Sequence, residues 1–395
     1  MAFRTLAELD VKGKRVLTRV DFNVPLDDGR ITDDTRITSA IPTIQALLDA
    51  GAAVLLISHL GRPKGQPNPR YSLAPVADHL SELIGKPVQL AEDIVGPSAQ
   101  AIAEALQPGQ VAMLENVRFE PGEEKNDREL ARQLADLADV YVNDAFGTAH
   151  RAHASTEGVA HLLPNAAGLL MARELEALGK VLAAPERPFV VLLGGAKISD
   201  KIGVITHFMQ SGDAILVGGG IANTLLKAEG NELGTSLVED DALDTARSLL
   251  QQARDGGKQL VVPADVVVAP SIDRASESRT VSADSIGADD AAFDIGPATL
   301  EAFKKLISSA RTVVWNGPMG LFEVEPFDRG THAVAEAVAA SGAYSVVGGG
   351  DSVAALQQMG LADQISHIST GGGASLEFLE GRTLPGVAAL EGGAK

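Results

Sequence analysis

The chain has 395 residues, and its 33 Lys and Arg against 52 Asp and Glu give a formal net charge of −19, which disfavours nucleic acid and anionic membranes as partners because both need clustered cations. It has no cysteine, which excludes disulfides, thiolate metal sites and a cysteine nucleophile. With 45% hydrophobic and 22% charged residues the chain is a folder rather than a disordered segment, long enough for two domains.

Residues 1–10 (MAFRTLAELD) hold no apolar run of signal-peptide length, and no stretch of about 20 apolar residues follows. A soluble cytoplasmic protein is expected. The first predicted strand, Val16–Val20, runs into Arg19-Val-Asp21-Phe-Asn23, with Arg36 just beyond. The next, Ala53–Ser58, ends on Ser58-His59-Leu-Gly-Arg62. A helix is predicted from Ser72 to a Gly85 stop. Strand Val111–Leu114 leads to Arg118, a helix opens at Asn126 or Asp127, and strand Val140–Asn143 leads to His150-Arg151-Ala-His153. Gly168–Ala184 reads as a long helix ended by Pro185 and Pro188.

Beyond it the strands Phe189–Leu193, Ala214–Val217, Leu260–Val262, Thr312–Trp315 and Tyr344–Val347 alternate with helical segments. Their ends are glycine-rich: Gly194-Gly-Ala-Lys197-Ile-Ser-Asp-Lys201, Gly218-Gly-Gly220, Asn316-Gly-Pro-Met-Gly-Leu-Phe-Glu323, Gly348-Gly349-Gly350-Asp351-Ser352 and Thr370-Gly371-Gly372-Gly373-Ala-Ser375. Near-continuous apolar strands between helices predict parallel sheets covered on both faces. The fold class is therefore α/β, two Rossmann-like three-layer domains with parallel sheets joined by a long interdomain helix. The boundary is placed at residue 168, giving domains 1–168 and 169–382.

In open parallel sheets ligands bind where strands end and helices begin, and these junctions fall into two chemical sets. Four successive strands of the first half end close to an arginine. Taken singly, each reads as a surface ion-pair partner; together their planar forks point to a small polyanion, with Asp21 and Asn23 suited to a hydroxyl of that ligand. His150, His153 and His161 lack the spacing of a zinc motif. The glycine junctions of the second half suit a nucleotide, since backbone N–H groups can approach phosphates there, although glycine also serves tight strand–helix packing. Neither G-x-x-x-x-G-K-[ST] nor a strand-linked G-x-G-x-x-G occurs. Lys197 and Lys201, spaced i, i+4 at a predicted helix start, could face one side of a cleft. Asp351 suits either a helix cap or a nucleotide-borne Mg²⁺.

RVDFNVP (19–25), SHLGRP (58–63), ENVRFEPGEEKND (115–127), NDAFGTAHRAHAS (143–155), GGAKISDKI (194–202), WNGPMGLFE (315–323), GGGDS (348–352) and STGGGAS (369–375) together resemble the phosphoglycerate kinase family, in its order and over nearly the whole chain. Ser352 stands where the family usually has Thr, and Leu321 where Val is common. The resemblance implies that Asp21, Asn23, Arg36, His59, Arg62, Arg118 and Arg151 bind 3-phosphoglycerate on the first domain. It places the adenine nucleotide on Lys197, Lys201, Glu323, Gly349, Gly350, Asp351 and Ser352 of the second, with Mg²⁺ on Asp351. Arg36, Lys197, Lys201 and the N–H groups of Gly371, Gly372 and Gly373 would neutralise the transferring phosphoryl group. The implied reaction is reversible transfer between 1,3-bisphosphoglycerate and Mg-ADP, giving 3-phosphoglycerate and Mg-ATP, by a hinge-bending monomer whose residues 383–395 pack back on the first domain. A nicotinamide oxidoreductase lacks its fingerprint here, and a non-catalytic anion binder would not need Lys197, Lys201 and Asp351 together.

Overall fold

Runs of Val, Leu and Ile form two six-stranded sheets in the computed structural model, which describes residues 3–391. The chain divides into two compact units, one reaching Glu176 and resuming at Thr383, the other spanning Ala177–Arg382. The division falls inside the helix Leu169–Ala183, which passes from one unit into the other.

In the first unit the sheet order is Val88–Leu90, Val111–Met113, Ala53–Ile57, Arg15–Arg19, Val140–Asn143, Asn165–Ala167, with every pairing parallel. The chain starts at the centre, builds outward on one side of Arg15–Arg19, then crosses to the other. The order in which strands are added reverses there, and the crevice beyond the strand ends is where a doubly wound sheet takes its ligand. Central strands are buried on both faces, as their uniform apolar sequence requires. Helix Ala74–Ile84 stops at Gly85, whose φ of 63° is the left-handed conformation that favours glycine. Helix Arg128–Ala135 is capped by Asp127, whose carboxylate accepts from Leu130 N at 2.9 Å. Helix Pro385–Glu391 belongs to this unit, Gly386 N donating to Ala149 O at 2.9 Å.

The second unit repeats the plan with the order Gln259–Val261, Ala214–Val217, Phe189–Leu193, Thr312–Asn316, Tyr344–Gly348, His367–Ile368, again all parallel. Its progress reverses between Phe189–Leu193 and Thr312–Asn316. Two features depart from the expected all-parallel architecture: Leu26–Asp27 and Arg30–Ile31 pair antiparallel in the first unit, and in the second Asp265–Ala269, Arg279–Ser282 and Ala291–Ile295 form a separate antiparallel sheet with its own apolar core of Leu226, Leu233, Val266, Val268, Ala283 and Ile286. Val266–Ala269 and Ala291–Phe293 are apolar in sequence and only Arg279–Ser282 is mostly polar, so pattern alone does not separate these strands from the parallel ones.

Asp144 follows the strand Val140–Asn143 and caps the start of the linking helix, its Oδ1 accepting from Leu170 N at 2.9 Å and Met171 N at 3.2 Å. Burial, partly offset by bonds from Thr43, Met171 and Leu170, raises its pKa to about 7. The folded state therefore holds a proton that the unfolded chain releases, and the stability this contributes is complete below the ordinary carboxylate range and is lost as pH rises through about 7. Asp144→Asn keeps the accepting oxygen but cannot ionise. The Tm of wild type should fall relative to that of this variant from pH 4 to pH 8; a constant difference would show that Asp144 does not titrate as described.

Candidate functional site

At the ends of the central strands of the first unit, the expected anion-binding residues gather. Arg36, in the second position of helix Thr35–Asp49, forms an ion pair with Asp21 Oδ2. The other oxygen of Asp21 lies 3.9 Å from His59 Nδ1. Asn23 Oδ1 accepts from Gly61 N at 2.8 Å, and Gly61 O accepts from Arg118 Nη1 at 2.8 Å. Arg118 is buried and reaches Glu124 at 3.4 Å. Arg151 donates to His150 Nε2 at 3.1 Å. Arg62 is exposed and has no hydrogen bond or ion pair among the described residues, so its fork is free to meet a ligand. Four arginines thus stand at these strand ends in a chain carrying a net −19, and Arg62 and Arg151 have no acidic partner among the described residues, which leaves charge for an anion.

His59 is buried, and burial together with the charges of Arg19, Arg118 and Arg36 pushes its pKa well below the ordinary histidine value. It is a neutral hydrogen-bond donor, and proton shuttling near neutral pH is not open to it.

In the second unit the reversal point of the sheet opens into a cavity of about 680 Å³ lined by Gly194, Lys197, Lys201, Asn316, Gly349, Gly350, Asp351, Gly372 and Gly373, among others. The two lysines do not share a helical turn as expected: residues 196–201 form a turn closed by Lys201 N to Ile198 O at 2.9 Å, and the helix begins only at Ile202. Both nonetheless reach the cavity. Lys197 is exposed; Lys201 is partly buried and donates to Asn316 Oδ1. Burial pushes the Lys201 pKa down to about 8 against the opposing charges of Asp200, Asp351 and Glu380. The ligand-free protein should therefore lose cationic Lys201 as pH rises through about 8, and kcat/KM for nucleotide should fall with it. Lys201→Arg, which stays charged, should flatten that alkaline limb; a limb of the same midpoint in this variant would assign the titration elsewhere.

A second cavity of about 610 Å³ is mostly apolar and is lined by Gly219, Leu237, Ile272, Ala291, Phe293, Leu321 and Glu323, with Gly195, Ala196, Pro318 and Asp351 common to both cavities. A polar, cation-bearing compartment thus continues into an apolar one. Of the second compartment's lining the sequence reading assigned only Glu323 and Asp351 to the nucleotide. Its walls come from segments scattered between Gly195 and Asp351, and they include Leu237 and Ile272, large apolar residues left exposed.

Some glycines expected to approach phosphates instead let loops approach one another. A Cβ on Gly194 would stand 1.8 Å from Pro318 O, and one on Gly317 2.2 Å from Gly194 O, so side chains there would force apart the two loops that border the cavity. Ser352 is fully buried and its Oγ accepts from Gly317 N at 2.7 Å, bracing the same loop. Gly371 is buried behind Gly372 and Gly373, which line the cavity at the start of helix Gly373–Leu379. Among the described residues no group of three or more His, Asp or Glu forms a metal cage. Asp351, an exposed carboxylate at the start of helix Gly350–Gln358 on a lining that also holds Asp200, Glu377 and Glu380, fits an ion carried in by a nucleotide, which needs only one or two protein oxygens.

The family model for phosphoglycerate kinase matches residues 6–382. A phosphoglycerate kinase of Pelotomaculum thermopropionicum is 57% identical over 390 residues, covering 99% of both chains, and that of Chloroflexus aurantiacus is 57% identical over 394 residues, covering 98% of both. The chain belongs to the phosphoglycerate kinase family. The solved phosphoglycerate kinase of Coxiella burnetii superposes with a TM-score of 0.91 at 44% identity, over 98% of this chain and 99% of that one. That of Pyrococcus horikoshii gives 0.85 at 35% identity, over 99% and 98%. The chain is accordingly a phosphotransferase with a carboxyl acceptor, whose family carries out the reversible, ATP-linked phosphoryl transfer of glycolysis. Among the described residues no helix is long and apolar enough to cross a membrane.

Proposed function

We propose that the arginine-rich face of the first unit binds 3-phosphoglycerate and the double cavity of the second binds the adenine nucleotide. The observation that carries this reading is the continuity of the two cavities through Gly195, Ala196, Pro318 and Asp351: a polar compartment that brings Lys197, Lys201 and glycine-rich helix starts together suits a polyphosphate, and the adjoining apolar slot suits a base. Asp21, Asn23, Arg36, His59, Arg62, Arg118 and Arg151 are the substrate contacts. Lys197, Lys201, Glu323, Gly349, Gly350 and Asp351 are the nucleotide contacts, Glu323 meeting a ribose hydroxyl. Ser352 serves by holding the Gly317 loop.

The substrate carboxylate and the β-phosphate of ADP are both ionised at neutral pH, so transfer in either direction needs no general base. What remains is to hold donor and acceptor in line and to neutralise the moving PO₃ group. Arg36, Lys197, Lys201 and the N–H groups of Gly372 and Gly373 do this, with Gly371 shaping the turn before them. Asp351 would hold the Mg²⁺ that accompanies the nucleotide, and that ion would supply charge neutralisation of the phosphate oxygens. Because each ligand has its own unit, the reaction requires a hinge motion, which also keeps water from the acyl phosphate. The enzyme acts as a cytoplasmic monomer on small molecules.

A coupled assay of 3-phosphoglycerate-dependent ATP consumption tests the reading. Asp351→Ala should raise the nucleotide KM about tenfold or more, as expected for loss of one charge-assisted contact, while leaving the 3-phosphoglycerate KM within a factor of about two. Unchanged Mg-nucleotide kinetics would remove the metal from Asp351.

A further inference from the structure

Arg19 ends the central strand of the first sheet, and the sequence pattern counts it among the cations facing the ligand. Its surroundings say otherwise. It is 1% exposed, and all three nitrogens are used internally: Nε donates to Ser155 Oγ at 2.9 Å, Nη1 donates to Val20 O, and Nη2 lies 3.3 Å from His59 Nδ1. Behind it Ser155 Oγ donates to Glu123 Oε1 at 2.6 Å, and Ser155 N donates to Glu123 Oε2 at 2.9 Å. Glu123 is wholly buried. Burial opposes its charge, yet bonds from His153 and Ser155 and the charge of Arg19 outweigh that and hold its carboxyl below the ordinary range. An ionised Glu123 thus fixes Ser155, which fixes Arg19.

The end of this chain decides a chemical property of the site. A guanidinium has donors only, so His59 Nδ1 must be the acceptor and the ring proton must sit on Nε2. Nε2 has no hydrogen-bond partner among the described residues, so this N–H is available to a ligand. We propose that Arg19 is a positioning residue, braced by Glu123 through Ser155, that sets the orientation and the Nε2–H tautomer of His59 for donation to 3-phosphoglycerate, and is not itself a ligand of the substrate. The proposal rests on the reading of His59 as a substrate contact. The charged groups facing His59 are Arg19, Asp21, Arg36, Arg118 and His153, and of these Arg19 alone touches Nδ1 within hydrogen-bonding distance.

The test separates the two claims. Ring nitrogen NMR of His59, assigned with His59→Asn, is recorded from pH 5 to 8 in the wild type, Arg19→Met and Ser155→Ala. The wild type should show one Nε2–H tautomer and no titration of this ring across the range. In Arg19→Met the ring should lose the single tautomer and its titration midpoint should move upward, since one facing cation is gone. Ser155→Ala keeps the Arg19 charge and removes only the brace; the 3-phosphoglycerate KM should rise about threefold or more with kcat within about twofold, because only a fraction of the ring is then correctly placed. Should Arg19→Met fail to fold, the Ser155→Ala arm decides alone. An unchanged His59 tautomer and midpoint in Arg19→Met, or an unchanged KM in Ser155→Ala, overturns the positioning role. An unchanged 3-phosphoglycerate KM in His59→Ala overturns instead the reading of His59 as a contact, whatever the NMR shows.

Discussion

Arg36→Ala is expected to lower kcat by a factor on the order of 10² or more, the typical value of one preorganised charge stabiliser in a phosphoryl or acyl transfer site. Arg36 is half-exposed, near the start of its helix, and is held by Asp21. The pairing with one acidic oxygen orients the guanidinium while its other N–H donors stay free for the substrate. Removing the side chain has a second consequence. Asp21 is then an uncompensated carboxylate beside an anion site, so the 3-phosphoglycerate KM should rise as well. Arg36→Lys restores the charge but not the planar fork and should recover only part of kcat. Steady-state kinetics in both directions measure this, and a kcat within twofold of wild type for Arg36→Ala would remove Arg36 from the transfer step.

Lys197→Ala is expected to reduce kcat by a similar factor, and here the structure sharpens the interpretation. Lys197 is exposed, lines the 680 Å³ cavity, and makes no hydrogen bond or ion pair among the described residues. No internal contact is lost on truncation, so Tm should stay within the small range of ordinary surface changes while activity collapses. Lys201→Ala offers the contrast, since it breaks the bond to Asn316 Oδ1 and should affect both stability and turnover. Calorimetry beside kinetics separates them. Normal turnover in Lys197→Ala would mean that this ammonium group does not reach the moving phosphoryl.

Much of the site is legible in the sequence because its chemistry sits at strand ends, and strand ends are marked by local signals. Apolar runs such as Phe189–Leu193 and Val140–Asn143 stop where polar, arginine-bearing or glycine-bearing segments begin. In a doubly wound sheet those stops lie together on one edge, so order along the chain already predicts neighbourhood in space. The antiparallel pairing of Asp265–Ala269, Arg279–Ser282 and Ala291–Ile295 was not legible, since a short apolar run such as Val266–Ala269 does not reveal the direction or the partner with which it pairs.

The sequence by itself determined which residue types stand at each junction, and with them the two chemical sets, cationic and glycine-rich. Only the tertiary structure decided which way each side chain turns. Arg19 and Arg36 look equivalent in the chain, yet one is buried on Ser155 and His59 and the other is half-exposed on Asp21. Gly194 and Gly317 spare each other's loops, and Ser352 bonds Gly317 rather than opening to the cavity. The apolar compartment beside it is assembled from segments far apart in sequence. Burial and hydrogen-bond partnership are long-range properties: a buried donor or charge must find its counterpart wherever the fold brings one, and no local pattern records where that is.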